Sequence, residues 1–215
     1  MDKPLIHPQV HPRVHQLTLP LTAAQVRELA CGDIVHLHGD VVLGAGLQTH
    51  ERVIECLDGK REFPLPMRGG TFFHLPTYSR EVDGRDDVAY INPTTSTRFN
   101  EFMPRIIREL DIRLTGGKGG LDAESARAMQ ETGCAYLSFI GGGLSLFTEA
   151  IREVKAVHWK DLYFHYRLVQ LRVEALGPAT VGIDAHGRSL FSSITEDARG
   201  RIPDILKALG PRKAT

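Results

Sequence analysis

A chain of 215 residues with 42% hydrophobic and 24% charged positions suits one domain with a core of its own. Its 26 Lys and Arg balance 26 Asp and Glu, so no bulk field draws it to nucleic acid or to an anionic membrane. No apolar run reaches the ~18 residues of a membrane span, and the opening MDKPLIHPQVHPRVHQ lacks a secretion signal, so the expected location is cytoplasmic.

Residues 1–15 read as an extended N-terminal arm and residues 16–215 as a single domain. In the arm, His7, His11 and His15 recur every four residues, but Pro8 and Pro12 forbid the continuous helix that would align them. Thr22 can cap a short helix, Ala23 to Ala30, which Gly32 ends. Asp33 to Val42 is apolar or alternating and predicts a strand. Gly44 to Arg52 reads as a Gly-rich loop leading to an apolar segment, Val53 to Leu57, taken as strand. Further short strands are expected at Thr71 to Leu75 and Val88 to Ile91.

From Ser96 to Leu110 the apolar residues recur at three and four, which predicts a helix, with Pro104 kinking or restarting it. Ile112 to Thr115 is a strand, Asp122 caps a helix to about Glu131, and Ala135 to Ile140 is again a strand. Leu144 to Val154 reads helical, Leu168 to Ala175 and Thr180 to Asp184 as strands, and Ile202 to Leu209 as a terminal helix. Strands alternating with helices predict an α/β fold. Cys31, Cys56 and Cys134 are too widely spaced for a disulfide framework or a zinc site and read as ordinary buried thiols.

Two loops carry chemistry. The first, Asn92-Pro93-Thr94-Thr95-Ser96-Thr97-Arg98, lies between a strand and a helix, where unpaired N–H groups and the helix dipole favour an anion. Hydroxyls at Thr94, Thr95 and Ser96 add donors, and Arg98 adds a planar fork suited to a carboxylate. A plain capping cluster is the competing reading. In the second, Thr115-Gly116-Gly117-Lys118-Gly119-Gly120, Gly117 and Gly119 around Lys118 let the backbone approach a ligand. A nucleotide-binding loop is disfavoured because the Walker order is absent and Gly119 follows the lysine. Two anion-receptive turns at one sheet edge suit a dicarboxylate.

At these residues the chain resembles the fumarase C-terminal domain, a separate β subunit in tartrate dehydratase and in split fumarases. PTTSTR at 93–98 resembles the family's P-T-T-x-x-R signature, and GGKGG at 116–120 its G-K-G-[GN] signature. GDIVHLHGDVV at 32–42, FFHL at 72–75, GCAYLSFIGGGLSLF at 133–147, VHWKDL at 157–162 and LGPATVGIDAHGRSL at 176–190 extend the likeness.

The resemblance implies a swivelling β/β/α domain and a partner α subunit, as αβ or α2β2. That partner would hold a [4Fe–4S] cluster, none being bound by this chain alone. The reaction implied is water addition to, or removal from, a hydroxy or unsaturated dicarboxylic acid. It places Thr94, Arg98 and Lys118 at the substrate, the two cations binding carboxylate.

One stretch departs from the pattern. Where the family carries R-D-x-x-H, this chain has Gly46, Leu47 and a retained His50. An arginine paired with a carboxylate at that position would be worth roughly 2–5 kcal/mol, and Arg52 is the nearest candidate substitute. His50 either hydrogen-bonds substrate or pins the loop. Gly46 also motivates a second reading, a non-catalytic carboxylate-binding or regulatory paralogue.

Overall fold

The computed structural model describes residues 12–210. β1 (Val14–Thr18) runs parallel to β2 (Ile34–Leu43), with Val14 opposite Ile34 and Thr18 opposite His38. Between them, Thr22 opens α1 (Ala23–Arg27) with a reciprocal capping box: its hydroxyl accepts from the Gln25 N–H, and the Gln25 side chain accepts from the Thr22 N–H.

Buried Asp33 ties β1 to this corner. It accepts from Arg13 Nη2 at 2.8 Å, His15 Nε2 at 2.9 Å and the Ala30 N–H at 3.1 Å. Burial pushes its carboxyl up, but these donors outweigh burial and hold it at about 2. Val14 and His15 are therefore strand residues, although the arm was expected to run to residue 15. His7 and His11 lie outside the described residues.

β3 (Thr71–Phe73), β6 (Leu114–Gly117) and β7 (Ala135–Phe139) continue the parallel set. The antiparallel β9 (Leu168–Ile183) pairs with β2 along one edge, and along the other with β7 and then β8 (Ile151–His158). Ala179 faces both Val35 and Phe139, so strands β2, β3, β6, β7 and β9 close into a ring.

Side chains alternate across these strands. Val41, Phe73 and Leu137 point into a core shared by the parallel strands and β9, while their neighbours Val42, Phe72 and Tyr136 point into a second core. That second core is roofed by α2 (Leu47–Leu57), α3 (Met103–Glu109) and α4 (Ala123–Thr132). The fold is mixed α/β, with helices over one face of the parallel strands.

Several elements differ from expectation. Of the Gly-rich loop and strand expected over 44–57, only residues 44–46 are loop; Leu47–Leu57 is the single helix α2. Its buried residues Thr49, His50, Val53 and Cys56 share one helical face, a period that a five-residue apolar window cannot display. α3 is a fresh start, with Pro104 in its first turn, after a 3-10 turn at Ser96–Phe99. The helix expected over 144–154 survives as α5 (Leu144–Thr148); the rest is β8, held by its ladder with β9.

The two strands expected at 168–175 and 180–184 are one. The intervening Gly177–Pro178 falls where β9 changes neighbour, a place where a missing N–H is tolerated. β4 (Thr77–Val82), unforeseen, forms a hairpin with β5 (Arg85–Ile91). α6 (Leu190–Leu209) begins well before the expected terminal helix; Phe191 in its first turn packs against the second core, and beyond it the helix is exposed.

Candidate active site

The two loops are stitched together through the backbone. Thr94 N–H donates to the His74 carbonyl at 3.0 Å, Lys118 N–H to the Thr94 carbonyl at 2.9 Å, and Ser96 N–H to the Lys118 carbonyl at 2.8 Å. Thr95 and Lys118 thus face each other as a parallel bridge. The lysine loop is partly strand: Gly116 and Gly117 close β6. A Cβ at Gly116 would stand 2.3 Å from the Leu137 carbonyl oxygen, and one at Gly117 would stand 2.4 Å from Ser96 Oγ. These two glycines serve close backbone packing.

Beneath the bridge runs a buried polar chain. The Gly120 N–H donates to the Tyr136 hydroxyl at 3.3 Å, and Tyr136 donates to Ser96 Oγ at 2.9 Å. Ser96 Oγ lies 2.8 Å from His74 Nδ1, and His74 Nε2 lies 3.3 Å from Met103 Sδ. With Tyr136 donating to it, Ser96 turns its own proton to Nδ1, so His74 carries its hydrogen on Nε2. Burial first, and the nearby His50 second, keep His74 neutral by pushing its pKa well below the usual imidazole value. Ser96 is fully buried, so this hydroxyl is a strut and not the ligand donor expected of it.

Beside the bridge opens a cleft of ≈ 420 Å³. Thr94, Arg98 and Phe99 line it from the first loop, Gly46 and Leu47 from the start of α2, and Tyr90, His165 and Tyr166 from elsewhere in the chain. Arg98 is exposed and, among the described residues, has no carboxylate partner. α2 starts at Gly46 without a capping side chain, so its first-turn N–H groups are open. An open helix start beside a guanidinium favours a carboxylate. The expected helix start at Ser96 does not provide this, because its N–H is already bonded to Lys118.

The other expected site residues separate. Thr95, like Lys118, is held in the bridge and does not line the cleft. The Lys118 side chain follows the glycine turn after β7, its Nζ 3.9 Å from where a Cβ on Gly141 would stand. Gly119, at φ +79, makes the turn in a conformation that favours glycine.

Arg52 does not replace the missing arginine. Its guanidinium makes a two-pronged bond to Asp161, with Nη1 2.8 Å from Oδ1, and lies 5.8 Å from the Trp159 ring centroid, outside the cleft.

His50 pins the loop. It is fully buried, donates Nδ1–H to the Gly46 carbonyl at 2.7 Å, and stacks on Phe99 with centroids 4.0 Å apart. Burial drives its pKa down to about 4 against the opposing pull of that carbonyl. Its Nε2 has no hydrogen-bond partner among the described residues, so a titrating catalytic His50 is not what the fold presents.

The sequence profile described as Fumarase C-terminus matches residues 4–194. The chain belongs to the fumarase C-terminus family. It is similar to the L(+)-tartrate dehydratase β subunit of Escherichia coli strain K12, 30% identical over 82% of this chain and 86% of that one. A provisionally named L(+)-tartrate dehydratase β subunit of Methanocaldococcus jannaschii is 27% identical over 86% of this chain and 95% of its own length. A provisionally named class I fumarate hydratase of Geobacillus stearothermophilus is 29% identical over 85% of this chain, which corresponds to 34% of that longer protein.

In this member of the fumarase C-terminus family, three cleft residues escaped sequence reasoning: Tyr90, His165 and Tyr166. The aromatic run Tyr163-Phe164-His165-Tyr166 just after VHWKDL was the available signal. No helix among the described residues is long and apolar enough to cross a membrane.

An iron–sulfur cluster does not fit the described residues of this chain. Cys31 donates to the Arg188 carbonyl at 3.0 Å, with burial and then Asp184 pushing its thiol up to about 11. Cys56 lies on α2, and Cys134 is fully buried before β7 with its pKa pushed up by burial. Among the described residues no three His, Cys, Asp or Glu form a metal-holding group.

Proposed function

We propose that this chain is the β subunit of a hydro-lyase, adding water to an unsaturated carboxylic acid or removing it from the corresponding hydroxy acid. The observation that carries this is Arg98, without a carboxylate partner among the described residues, lining a cleft beside an uncapped helix start, on a loop locked to the lysine signature by backbone hydrogen bonds. The names of the relatives support the same reaction class.

Dehydration removes a proton from the carbon next to a carboxylate and hydroxide from the following carbon. Charge develops beside the carboxylate as the proton leaves, and a guanidinium fixed there stabilises it. Arg98 takes that role. Thr94, which lines the same cleft, orients the substrate by hydrogen bonding; an unactivated Thr hydroxyl is too weak a base for more. Lys118, outside the cleft, adds positive charge from the side of the Gly141 turn.

The partner is an α subunit, in αβ or α2β2 form, that carries a [4Fe–4S] cluster, and the domain is of the swivelling β/β/α type, acting in the cytoplasm. The cluster supplies a Lewis acid for the leaving hydroxyl. The test is anaerobic co-expression with the cluster-bearing subunit, followed by spectrophotometric hydration and dehydration assays over a panel of hydroxy and unsaturated acids. An iron-loaded complex that turns over none of them ends the reading.

A non-catalytic carboxylate-binding paralogue is the second reading, favoured by the glycine at 46. It predicts carboxylate binding that depends on Arg98 without turnover in the assembled complex.

A further inference from the structure

Polarity is divided within the cleft. Among the described residues Arg98 is the one Lys or Arg lining it; Asn92 and Thr94 add uncharged polar groups, and Leu47, Tyr90, His165 and Tyr166 contribute mostly ring and hydrocarbon. That wall is fixed in place. The Tyr166 carbonyl accepts from buried Thr49 Oγ at 2.6 Å, and its N–H donates to the Tyr163 carbonyl at 2.8 Å. His165 donates Nδ1–H to the Thr77 carbonyl at 3.1 Å, and its ring lies 6.2 Å from that of Tyr90.

Ring faces carry negative charge, so a carboxylate laid against them is repelled, and it loses hydration without gaining a cationic partner. An aromatic or branched apolar group meets the opposite conditions: it buries area and packs edge or face against the rings. Tyr166, 37% exposed, and Leu47, 54% exposed, are large surfaces left bare for such a group. The cleft volume of ≈ 420 Å³ lies within the range of sites that enclose a small organic ligand.

We infer that this cleft selects a carboxylic acid bearing an aromatic or branched apolar substituent, with the carboxylate on Arg98 and the substituent against Tyr90, His165 and Tyr166. The inference rests on the hydro-lyase reading only for the chemistry at the carbons between those two ends; the binding preference stands apart from turnover.

The matched pair 3-phenyllactate and malate tests it, since they differ by a phenyl ring in place of one carboxylate. Isothermal titration of the full chain is expected to give phenyllactate at least about tenfold tighter binding than malate. Tyr166→Ala lowers phenyllactate affinity about tenfold and leaves malate within about twofold, Tyr166→Phe retains the preference, and Arg98→Gln weakens both acids. Malate binding as tightly as phenyllactate to the unmodified chain overturns the inference, as does binding of neither acid or an equal loss of both in Tyr166→Ala. The order in the unmodified chain decides even where a variant misfolds. Failure of the hydro-lyase reading looks different: the assembled complex turns over no acid of the hydration and dehydration panel, malate included, while this binding order persists.

Discussion

The ring of Tyr166 lies on the α-carbon of Gly46: a Cβ there would stand 2.4 Å from Tyr166 Cδ1 and 2.7 Å from Cγ. Gly46 has φ 179, an extended backbone open to any residue, so the ring alone excludes a side chain. Gly46→Arg is expected to destabilise by about 1–3 kcal/mol through overpacking. In a Tyr166→Ala background most of that loss disappears, a coupling read from a double-mutant cycle in urea. Additive losses would show that the two positions are independent.

Stability is expected to fall as pH drops below neutrality. An unfolded His50 takes its proton near 6.5, and the folded one near 4. Between these values the unfolded state holds more protons, so acidification favours it; stability is complete above about 6.5 and declines toward 4. His74 acts in the same direction. At about 1.4 kcal/mol per unit, His50 alone accounts for roughly 3 kcal/mol. His50→Phe keeps the stack on Phe99 and is expected to flatten the curve of unfolding free energy between pH 7 and pH 5; an unchanged slope sinks the assignment.

Ser96→Ala removes the hub of the buried chain and leaves the Tyr136 hydroxyl proton and His74 Nδ1 without an acceptor or donor, while the Tyr136 oxygen keeps the Gly120 N–H. The expected loss is about 1–3 kcal/mol in chemical denaturation. Combined with Tyr136→Phe, the loss is smaller than the sum, because the second change deletes a group that the first has already orphaned.

Gly117→Ala places a methyl 2.4 Å from Ser96 Oγ and 2.9 Å from the Thr94 carbonyl oxygen, both on the loop that carries Arg98. The loop must shift. The assembled complex is expected to lose at least about tenfold in kcat/KM, since small misplacements of a positioning group are costly. Gly119→Asn, at a left-handed position that Asn tolerates, is expected to retain activity in the same assay.

Arg98→Gln and Arg52→Ala separate a ligand-binding cation from a surface pair. The first is expected to raise KM for a carboxylate substrate at least about tenfold. The second releases exposed Asp161 and uncovers the Trp159 ring, and leaves KM near that of the parent. Equal effects would place the carboxylate elsewhere.

Local signals settled much of this architecture. Thr22 with Gln25, Asp122 before α4, and Pro104 within the first turn of α3 are chemistry that a few neighbouring residues decide, and each lies where propensity and capping place it. The signatures at 93–98 and 116–120, and with them the family, were legible for the same reason. Tertiary structure decided what long-range pairing alone can fix. Ile151–His158 became a strand because β9 offered it a ladder, and Val53–Leu57 became helix because its partners lie in the core under α2. His50 and Ser96 were withdrawn from the ligand by burial, and Arg52 by Asp161, none of which spacing along the chain reveals. Tyr166 reaches Gly46 across 120 positions, so the shape of the cleft was set by packing between distant segments.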